Sequence, residues 1–298
     1  MPSPELAQII ALLRSQPVPS ERPSIATLRQ GFERLTATIP TPAGVVVEEL
    51  TAGHRPAERL RSPGIERGRV VLYLHGGGFL LGSAKTHRSL AARIGQAARA
   101  EMLVLDYRLA PEHSFPAAID DAIAAYRWLL DQGLSAGNLA IAGDSAGGGL
   151  TVSTLLAIRD ARLPQPAAAV LMSPWVDLAG EGASMQTNAA ADPMVQKEGL
   201  LGMSRAYLHG TDPHHPMASP IHADLTGLPP LLVQVGTAET LLDDSVRLAA
   251  RAEAAGVAVT LEKWDDMIHV WQAFPQLPEA QRAVERIGEY VREKTPLA

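Results

Sequence analysis

The sequence contains no cysteine among its 298 residues. Disulfide bonds, thiolate catalysis and cysteine-ligated metal sites are therefore excluded. A run of lysine and arginine is also missing, and the formal net charge of −6 is mildly acidic. Nucleic-acid-binding proteins carry a basic patch, so nucleic acid is not an expected partner.

Long apolar segments are absent as well. No stretch reaches the roughly 18 apolar residues that a membrane span needs, so no membrane association is expected. The first residues, MPSPELAQIIALLRSQ, have no basic region, and Glu5, Gln8 and Arg14 interrupt the apolar ones. A signal peptide has the opposite pattern. Together these absences predict a soluble, cytoplasmic protein.

The residues that are present indicate an α/β fold. From residue 69 onward, short β-rich runs alternate with longer helical patterns. Uninterrupted apolar runs are typical of strands buried on both faces, and strand–helix alternation is typical of a mostly parallel sheet flanked by helices. Strands are predicted at 69–75, 101–107, 138–144, 167–173, 230–236 and 257–264, and helices at 86–100, 117–133 and 145–161.

Two segments lie outside this alternation. Residues 1–40 hold two amphipathic helical patterns, and residues 178–225 form a large insertion between strands. Ligands of such sheets bind at the carboxyl ends of the strands, where insertions are often functional. We expect 1–40 and the insertion to form a helical cap on a main domain of residues 41–298. Peripheral decoration of the fold is the alternative.

The motif GDSAG at 143–147 lies between a predicted strand and a predicted helix. This context is the one that a nucleophile elbow requires, because a sharp turn presents the Ser145 hydroxyl at the end of the strand. A serine needs a base, which an acid orients in turn. His269 is the histidine that follows the last predicted strand, where the base of such a fold belongs.

Three consecutive glycines follow His75 at the end of the first predicted strand. Glycines let a negative charge approach the backbone amides closely. A tetrahedral intermediate needs amide donors from the residue after the serine and from the loop after an earlier strand. Ala146, Gly77 and Gly78 are the predicted donors of this oxyanion hole, and His75 is interpreted as a residue that braces the loop.

These motifs resemble the hormone-sensitive-lipase-like branch of the α/β-hydrolases, also called bacterial family IV esterases. The resemblance covers nearly the whole chain from about residue 40. It rests on HGGGF (75–79), YRLAPEHSFPAAIDD (107–121), GDSAGGGL (143–150), SPWVDL (173–178), DPM (192–194), LPPLLVQVGTAETLLDDS (228–245) and His269.

The resemblance implies a serine carboxylesterase that works through an acyl-enzyme, needs no cofactor and prefers small esters with short acyl chains. It also implies an α/β-hydrolase fold with a helical cap. Members of the family often dimerise through the edge formed by the last strand, so a homodimer of that kind is one expectation.

The acid position departs from the family pattern, which usually has aspartate there. Glu239 stands at this position, with Asp243 and Asp244 further along. We predict that Glu239 orients His269, because the two aspartates fall where the next helical pattern has begun. A carboxylate at a helix N-terminus, stabilised by the dipole, is the alternative interpretation of Glu239.

Other features carry weaker predictions. TDPHHP at 211–216 lacks a companion carboxylate spacing, so a polar turn is favoured and no metal is predicted. Lactone or carbamate hydrolysis remains an alternative activity. A non-catalytic receptor on this fold, as in the plant gibberellin receptor, is the alternative of another class, and the presence of His269 favours the enzyme. Candidate substrate-binding residues, each of which could instead be ordinary core, are Phe32, Leu80, Met194, Met203, Tyr207 and Trp271.

Overall fold

A computed structural model describes residues 3–15 and 23–297 of the chain. One sheet of eight strands forms its centre, in the order β1-β2-β4-β3-β5-β6-β7-β8. The six strands from β3 to β8 pair in parallel, whereas β1 and β2 pair antiparallel with each other and β2 with β4. The strands are β1 Val46–Ala52, β2 Arg55–Arg61, β3 Val70–Leu74, β4 Glu101–Leu105, β5 Leu139–Asp144, β6 Ala168–Met172, β7 Leu231–Gly236 and β8 Val259–Trp264.

Helices cover both faces of the sheet. The helices of the described ranges, including those that lie on loops, are α1 Pro4–Arg14, α2 Ile25–Thr36, α3 Ala84–Ala98, α4 Ala117–Asp131, α5 Ala146–Asp160, α6 Ser184–Thr187, α7 Lys197–Leu208, α8 Leu242–Ala254 and α9 Pro278–Lys294. Within the described ranges, no helix combines the length and the apolar character that crossing a membrane requires.

The central strands are buried on both faces, as their uninterrupted apolar runs predict. In β3, Leu72 and Leu74 belong to a core cluster that includes residues of α4, α5 and α8. The alternate residues Val71 and Tyr73 belong to a second cluster, which includes residues of α3 and α9. Successive side chains of a strand point to opposite faces, so each strand contributes to both cores.

The predicted α/β fold with a mostly parallel sheet is confirmed, and each of the six predicted strands is present within about two residues of its bounds. The hairpin of β1 and β2 is an addition that the sequence did not suggest. Four of the first five residues of β1 are exposed, including Val46 and Val47. The strand therefore lacks the buried apolar run by which the others are identified, and its pairing partner holds it in the sheet.

The first two helices dock on different parts of the main domain. Leu6 and Ile9 of α1 are buried in a third cluster, with Met267, Ile268 and Trp271. In α2, whose described residues include no fully buried side chain, Arg29 makes the main polar contacts. Its guanidinium donates to the Leu80 and Ala110 carbonyls and to the carboxylate of Glu112 at 2.8–2.9 Å. Of residues 1–40, positions 1–2 and 16–22 lie outside the described residues.

The insertion at 178–225 carries α6, α7 and a short 3-10 helix, Pro220–His222. Helix α7 contacts the start of the insertion and the loops that follow β3 and β4. Ser204 donates to the Leu178 carbonyl at 2.8 Å, and the Tyr207 carbonyl accepts the amide of Phe115 at 2.9 Å. The Tyr207 ring stacks on Phe79 with centroids 3.9 Å apart. The insertion is therefore seated on the loops that follow β3 and β4.

Candidate active site

Ser145 occupies the turn between β5 and α5, with φ of 52° and ψ of −123°. A residue other than glycine rarely adopts a positive φ, and such a conformation costs roughly 1–3 kcal/mol unless its surroundings enforce it. Here the surroundings do so from both sides, because the Ser145 amide donates to Met172 and its carbonyl accepts the amide of Trp175, each at 2.9 Å. The turn presents the hydroxyl at the carboxyl end of the strand.

The glycines of GDSAG make room for this turn. A Cβ at Gly147 would overlap the carbonyl oxygen of Leu74, and one at Gly143 would overlap the carbonyl of Gly147. Both obstacles are backbone atoms, which cannot rotate away as a flexible side chain could. Glycine is therefore required at both positions of G-x-S-x-G, because the turn packs closely on itself and on the end of β3.

Ser145, His269 and Glu239 lie in one hydrogen-bonded line. The Nε2 atom of His269 is 2.9 Å from the Ser145 Oγ, and its Nδ1 atom is 2.9 Å from the Glu239 Oε2. The three residues come from the loops after β5, β8 and β7, which end at the same edge of the sheet. Ser145 is 9% exposed, His269 6% and Glu239 0%, so the carboxylate end of the line is closed to solvent.

Glu239 is held from several directions. Its Oε1 atom accepts the Ser173 hydroxyl at 2.7 Å and the Gly236 amide at 2.6 Å, which leaves Oε2 for the imidazole. Ser173 also accepts the Val270 amide at 3.2 Å, so one hydroxyl contacts both the acid and the histidine loop. The carboxylate is therefore fixed in direction before any substrate binds.

The pKa of His269 is raised above its ordinary value of 6.5. Burial is the largest influence and disfavours the charged ring. The hydrogen bond to Glu239, the charge of Glu239 and smaller contributions from Asp192 and Asp144 together outweigh it. This balance stabilises an imidazolium, which is the form that a histidine adopts after it has taken a proton from serine.

The loop after β3 brings backbone amides towards Ser145. Gly77 and Gly78 have φ of 113° and 62°, which favour glycine. Within residues 3–15 and 23–297, the amides of Gly77, Gly78 and Ala146 donate to no protein acceptor. Ala146 is the first residue of α5, where amides have no partner inside the helix. These are the amides that the sequence predicted as oxyanion donors.

Asp144 anchors this loop to the turn that carries Ser145. Its Oδ1 atom accepts the Tyr73 hydroxyl at 2.7 Å and the Gly76 amide at 3.1 Å. The pKa of Asp144 is lowered: burial acts against this, but His87 and Tyr73 stabilise the carboxylate and prevail. His75 is buried beside it, stacked on Tyr107 at 4.2 Å between centroids, and burial lowers its pKa to about 3. A neutral, packed His75 agrees with a bracing role.

The six candidate substrate residues differ in their surroundings and exposure. Met203 lies against the loop after β3, since a Cβ at Gly78 would overlap its Sδ atom. Leu80 is 6% exposed at the same loop, and Phe32 lies tilted on the His87 ring, with centroids 5.8 Å apart. Met194 is 43% exposed.

The two remaining candidates, Tyr207 and Trp271, are 1% and 0% exposed. Trp271 packs with Leu6, Met267 and Leu277 in the cluster under α1, so it is a core residue and the prediction that it lines the pocket needs correction. Tyr207 is enclosed by Phe79 and Phe115. Its ring packs the insertion against the loops that follow β3 and β4.

Asp243 and Asp244 do not contact His269. Asp243 accepts the Ser184 amide at 2.9 Å, and Asp244 accepts the amides of Val176 and Asp177, also at 2.9 Å. Burial, reinforced by the charge of Asp177 and opposed by these amides and by Arg247, raises the pKa of Asp244 to about 8. Asp244 therefore braces the segment just before the insertion and Asp243 a residue within it, and neither aspartate orients the histidine.

Three supporting residues escaped the sequence analysis in this role. Ser173 holds Glu239, as described above. Asp192 accepts the Thr240 amide at 2.9 Å, and Asn188 donates to the Glu239 carbonyl at 2.8 Å. The insertion is therefore hydrogen-bonded to the loop that carries Glu239. Ser173 and Asp192 fall within the motifs SPWVDL and DPM, which were noted in the sequence. The motifs alone did not show that these residues contact Glu239 and Thr240. Asn188 lies in no motif that the sequence analysis identified.

A serine hydroxyl, an imidazole and a buried carboxylate in line, at the carboxyl ends of a parallel sheet, define a serine hydrolase of the α/β-hydrolase class. Comparison with known proteins agrees. Residues 71–273 match the family model described as alpha/beta hydrolase fold. An acetyl-hydrolase of Streptomyces hygroscopicus is 48% identical over 302 residues, covering 99% of this chain and 98% of the relative.

Two solved structures are similar along nearly the whole chain. The esterase EstE5, in a crystal soaked with p-nitrophenyl butyrate, is 48% identical with a TM-score of 0.96, covering 99% of this chain and 100% of that one. An esterase of the bacterial hormone-sensitive lipase family is 47% identical with a TM-score of 0.95, covering 99% of each chain. The chain belongs to this hormone-sensitive-lipase-like family of α/β-hydrolases and is a carboxylic-ester hydrolase.

The raised pKa of His269 predicts the pH dependence of the activity. The ring must be neutral to accept a proton, so kcat/KM should fall as the pH drops through the pKa, and this acidic limb should lie above pH 6.5. Glu239→Gln removes the charge that raises the pKa, so the limb should move to lower pH. We also expect kcat to fall by roughly 10⁴-fold, because the amide favours the wrong tautomer of the ring.

The matched control is Asp243→Asn, which changes a neighbouring carboxylate on α8 that does not contact His269. It should keep the pH limb and most of the turnover. Steady-state rates between pH 5 and 9 measure both effects. If Glu239→Gln keeps normal turnover while Asp243→Asn or Asp244→Asn loses it, the assignment of the acid is wrong.

Proposed function

We propose that Ser145 is the nucleophile, His269 the general base and Glu239 the acid of a triad that hydrolyses short-chain carboxylic esters through an acyl-enzyme. The observation that carries this proposal is the single ring that bridges the Ser145 Oγ and the Glu239 Oε2, at 2.9 Å on each side. In the first step, Oγ attacks the ester carbonyl carbon while Nε2 takes the hydroxyl proton. Glu239 stabilises the imidazolium and stays ionised.

The negative charge of the tetrahedral intermediate needs donors that are already in place. The amides of Gly77, Gly78 and Ala146 are proposed for this role, since Ala146 directly follows Ser145 and none of the three donates to an acceptor within the described residues. Removing one donor from such a site costs about 10²–10³-fold in turnover, so preorganised amides supply much of the catalysis. Asp144 supports them, because it fixes Gly76 against the end of β5.

The intermediate then collapses to the acyl-enzyme. The bond to the alcohol oxygen breaks, and the Nε2 proton passes to the departing alcohol. A water molecule, deprotonated by the same Nε2, attacks the acyl carbon and releases the acid, and Ser145 recovers its proton from His269. The ring therefore acts alternately as base and acid, which requires that it stay in the plane set by Glu239.

We further propose that residues 1–40 and the insertion at 178–225 form a cap over this site on the main domain 41–298. Contacts from both segments support this division. Arg14 of α1 donates to the carbonyls of Ala190 and Ala191 at 3.0 and 3.4 Å, so it joins the two segments. Arg29 of α2 donates to the Leu80 carbonyl, beside the oxyanion loop.

The acyl chain that suits this site is short. The S. hygroscopicus relative is named an acetyl-hydrolase, and the crystal of EstE5 was soaked with a butyrate ester. In this chain the Met203 side chain lies against Gly78 and so limits the space beside the oxyanion donors. A flexible thioether adapts to small acyl groups but fills the volume that a long chain would need.

A homodimer through the last strand and a cytoplasmic location stay predictions. Within the described ranges β8 pairs with β7 on one side, and its other edge ends the sheet. An edge strand offers unpaired backbone groups to a second copy of the chain.

Covalent labelling tests the nucleophile. A fluorophosphonate should add to one residue, Ser145, as located by peptide mass spectrometry. Ser145→Ala should abolish labelling and reduce kcat by on the order of 10⁶-fold, as in comparable triads. The folded state of the variant can be checked by its circular dichroism spectrum. Label on another serine, or substantial turnover by Ser145→Ala, would refute the proposed mechanism.

Nitrophenyl esters of increasing acyl length test the preference for short chains. Butyrate and hexanoate should be hydrolysed at least about tenfold faster than palmitate, since each misfit methylene is worth a measurable factor. Met203→Ala should shift the optimum to longer chains. Leu201→Ala, two residues away and so on another side of α7, should leave the optimum unchanged. Equal or faster hydrolysis of palmitate by the unaltered enzyme would contradict the proposal.

A further inference from the structure

Three side chains with metal-ligating atoms meet away from the triad. They are Glu181, His214 and His222, and one carboxylate oxygen and one nitrogen from each ring all lie within 4.8 Å of one another. Glu181 follows β6 by nine residues, whereas His214 lies in the loop after α7 and His222 ends the 3-10 helix beyond it. The cluster therefore joins the beginning of the cap insertion to its end.

The His214 ring is oriented by two carboxylates. Its Nε2 atom is 2.9 Å from the Glu181 Oε1, and its Nδ1 atom is 3.1 Å from the Asp212 Oδ1. Histidine ligands of metals usually donate the other ring N–H to a carboxylate, which fixes the tautomer and directs the free nitrogen at the ion. Asp212 supplies this contact at Nδ1, so Nε2 is the nitrogen that faces the cluster.

The other histidine has an unmet hydrogen-bonding group. The His222 Nε2 atom is buried and has no hydrogen-bond partner in the described part of the chain. Its ring lies 5.0 Å from the His214 ring, centroid to centroid. An unpaired buried polar atom costs about 1–3 kcal/mol, which a partner at this position would recover.

Arg247 is a further charged group beside Glu181. Arg247 of α8 donates to the Asp177 Oδ2 at 2.7 Å, and its other nitrogen lies 3.9 Å from the Glu181 Oε2. Arg247 thus approaches the Oε2 atom of Glu181, whereas Oε1 contacts His214. The Glu181 Oε1 atom contacts the His214 Nε2 atom, so a bound ion would replace this hydrogen bond with a metal bond to each of the two atoms.

We propose that Glu181, His214 and His222 form a Zn²⁺ site that links the two ends of the cap insertion. Two imidazoles and one carboxylate are a donor set that Zn²⁺ prefers and that Mg²⁺ and Ca²⁺ do not. Ligand atoms about 2.1 Å from an ion are at most about 4.2 Å apart, so small side-chain rotations bring the three into range. Water completes the coordination, because Glu181 and His214 are half exposed.

This cluster could not be predicted from the spacing of residues in the sequence. The segment TDPHHP has no carboxylate at a metal-binding spacing, and the third ligand comes from Glu181, 33 residues before His214. Folding of the insertion supplies the missing partner. A bound ion would hold the insertion closed at its base, where it leaves the main domain, and would stabilise the folded protein in proportion to its occupancy.

Zinc binding to the whole enzyme, prepared without a polyhistidine tag and freed of metal with a chelator, tests the site. Isothermal titration with ZnCl₂ should show saturable binding, and Zn²⁺ should raise Tm in a concentration-dependent way. Glu181→Gln, His214→Ala and His222→Ala should each weaken the binding at this site by at least about tenfold. An equal concentration of MgCl₂ should leave Tm unchanged.

His209→Asn is the matched control. His209 is an exposed histidine of the same insertion, just after α7, and its φ of 48° suits asparagine. This variant should bind Zn²⁺ as the unaltered enzyme does. Glu181→Gln keeps the shape of an exposed side chain, so its result is independent of folding. The proposal is overturned if no saturable binding occurs, or if the three cluster variants bind as tightly as His209→Asn.

Discussion

The buried carboxylate of Glu239 is the constraint around which the site is arranged. Its side chain is 0% exposed, and a charge removed from water must be paired and hydrogen-bonded to be tolerated. Ser173 and the Gly236 amide satisfy one oxygen, and His269 satisfies the other. The fold thus meets the cost of a buried charge with contacts that also direct the imidazole at Ser145. The contacts that stabilise the buried carboxylate are thus the same contacts that orient the His269 ring.

The parallel sheet explains why distant residues converge. Strands β5, β7 and β8 end at one edge, so the loops that carry Ser145, Glu239 and His269 lie close together although 124 residues separate the first from the last. The insertion strengthens this arrangement, because Asn188 and Asp192 hold the loop of the acid. The insertion therefore supports the loop that carries Glu239.

Most of the fold and the central site could be predicted from the sequence, because each leaves a local pattern. The apolar runs of β3 to β8, the GDSAG turn and the HGGG loop are such patterns. The exposed strand β1 has no apolar run, and Ser173 acts through a contact with Glu239, 66 residues away. Trp271 shows the opposite error: a large apolar side chain near the histidine is core, because α1 covers it. Contacts between residues that are distant in the chain form only on folding, so no local pattern in the sequence predicts them.

Nuclear magnetic resonance of the His269 ring tests most directly whether Glu239 orients it. With ¹⁵N-labelled histidine, and His269→Asn to assign the signals, the neutral ring should carry its proton on Nδ1 and leave Nε2 free to accept from Ser145. Glu239→Gln should transfer the population to the tautomer with the proton on Nε2. A neutral ring protonated on Nε2 in the unaltered enzyme, or one indifferent to Glu239→Gln, would contradict the account.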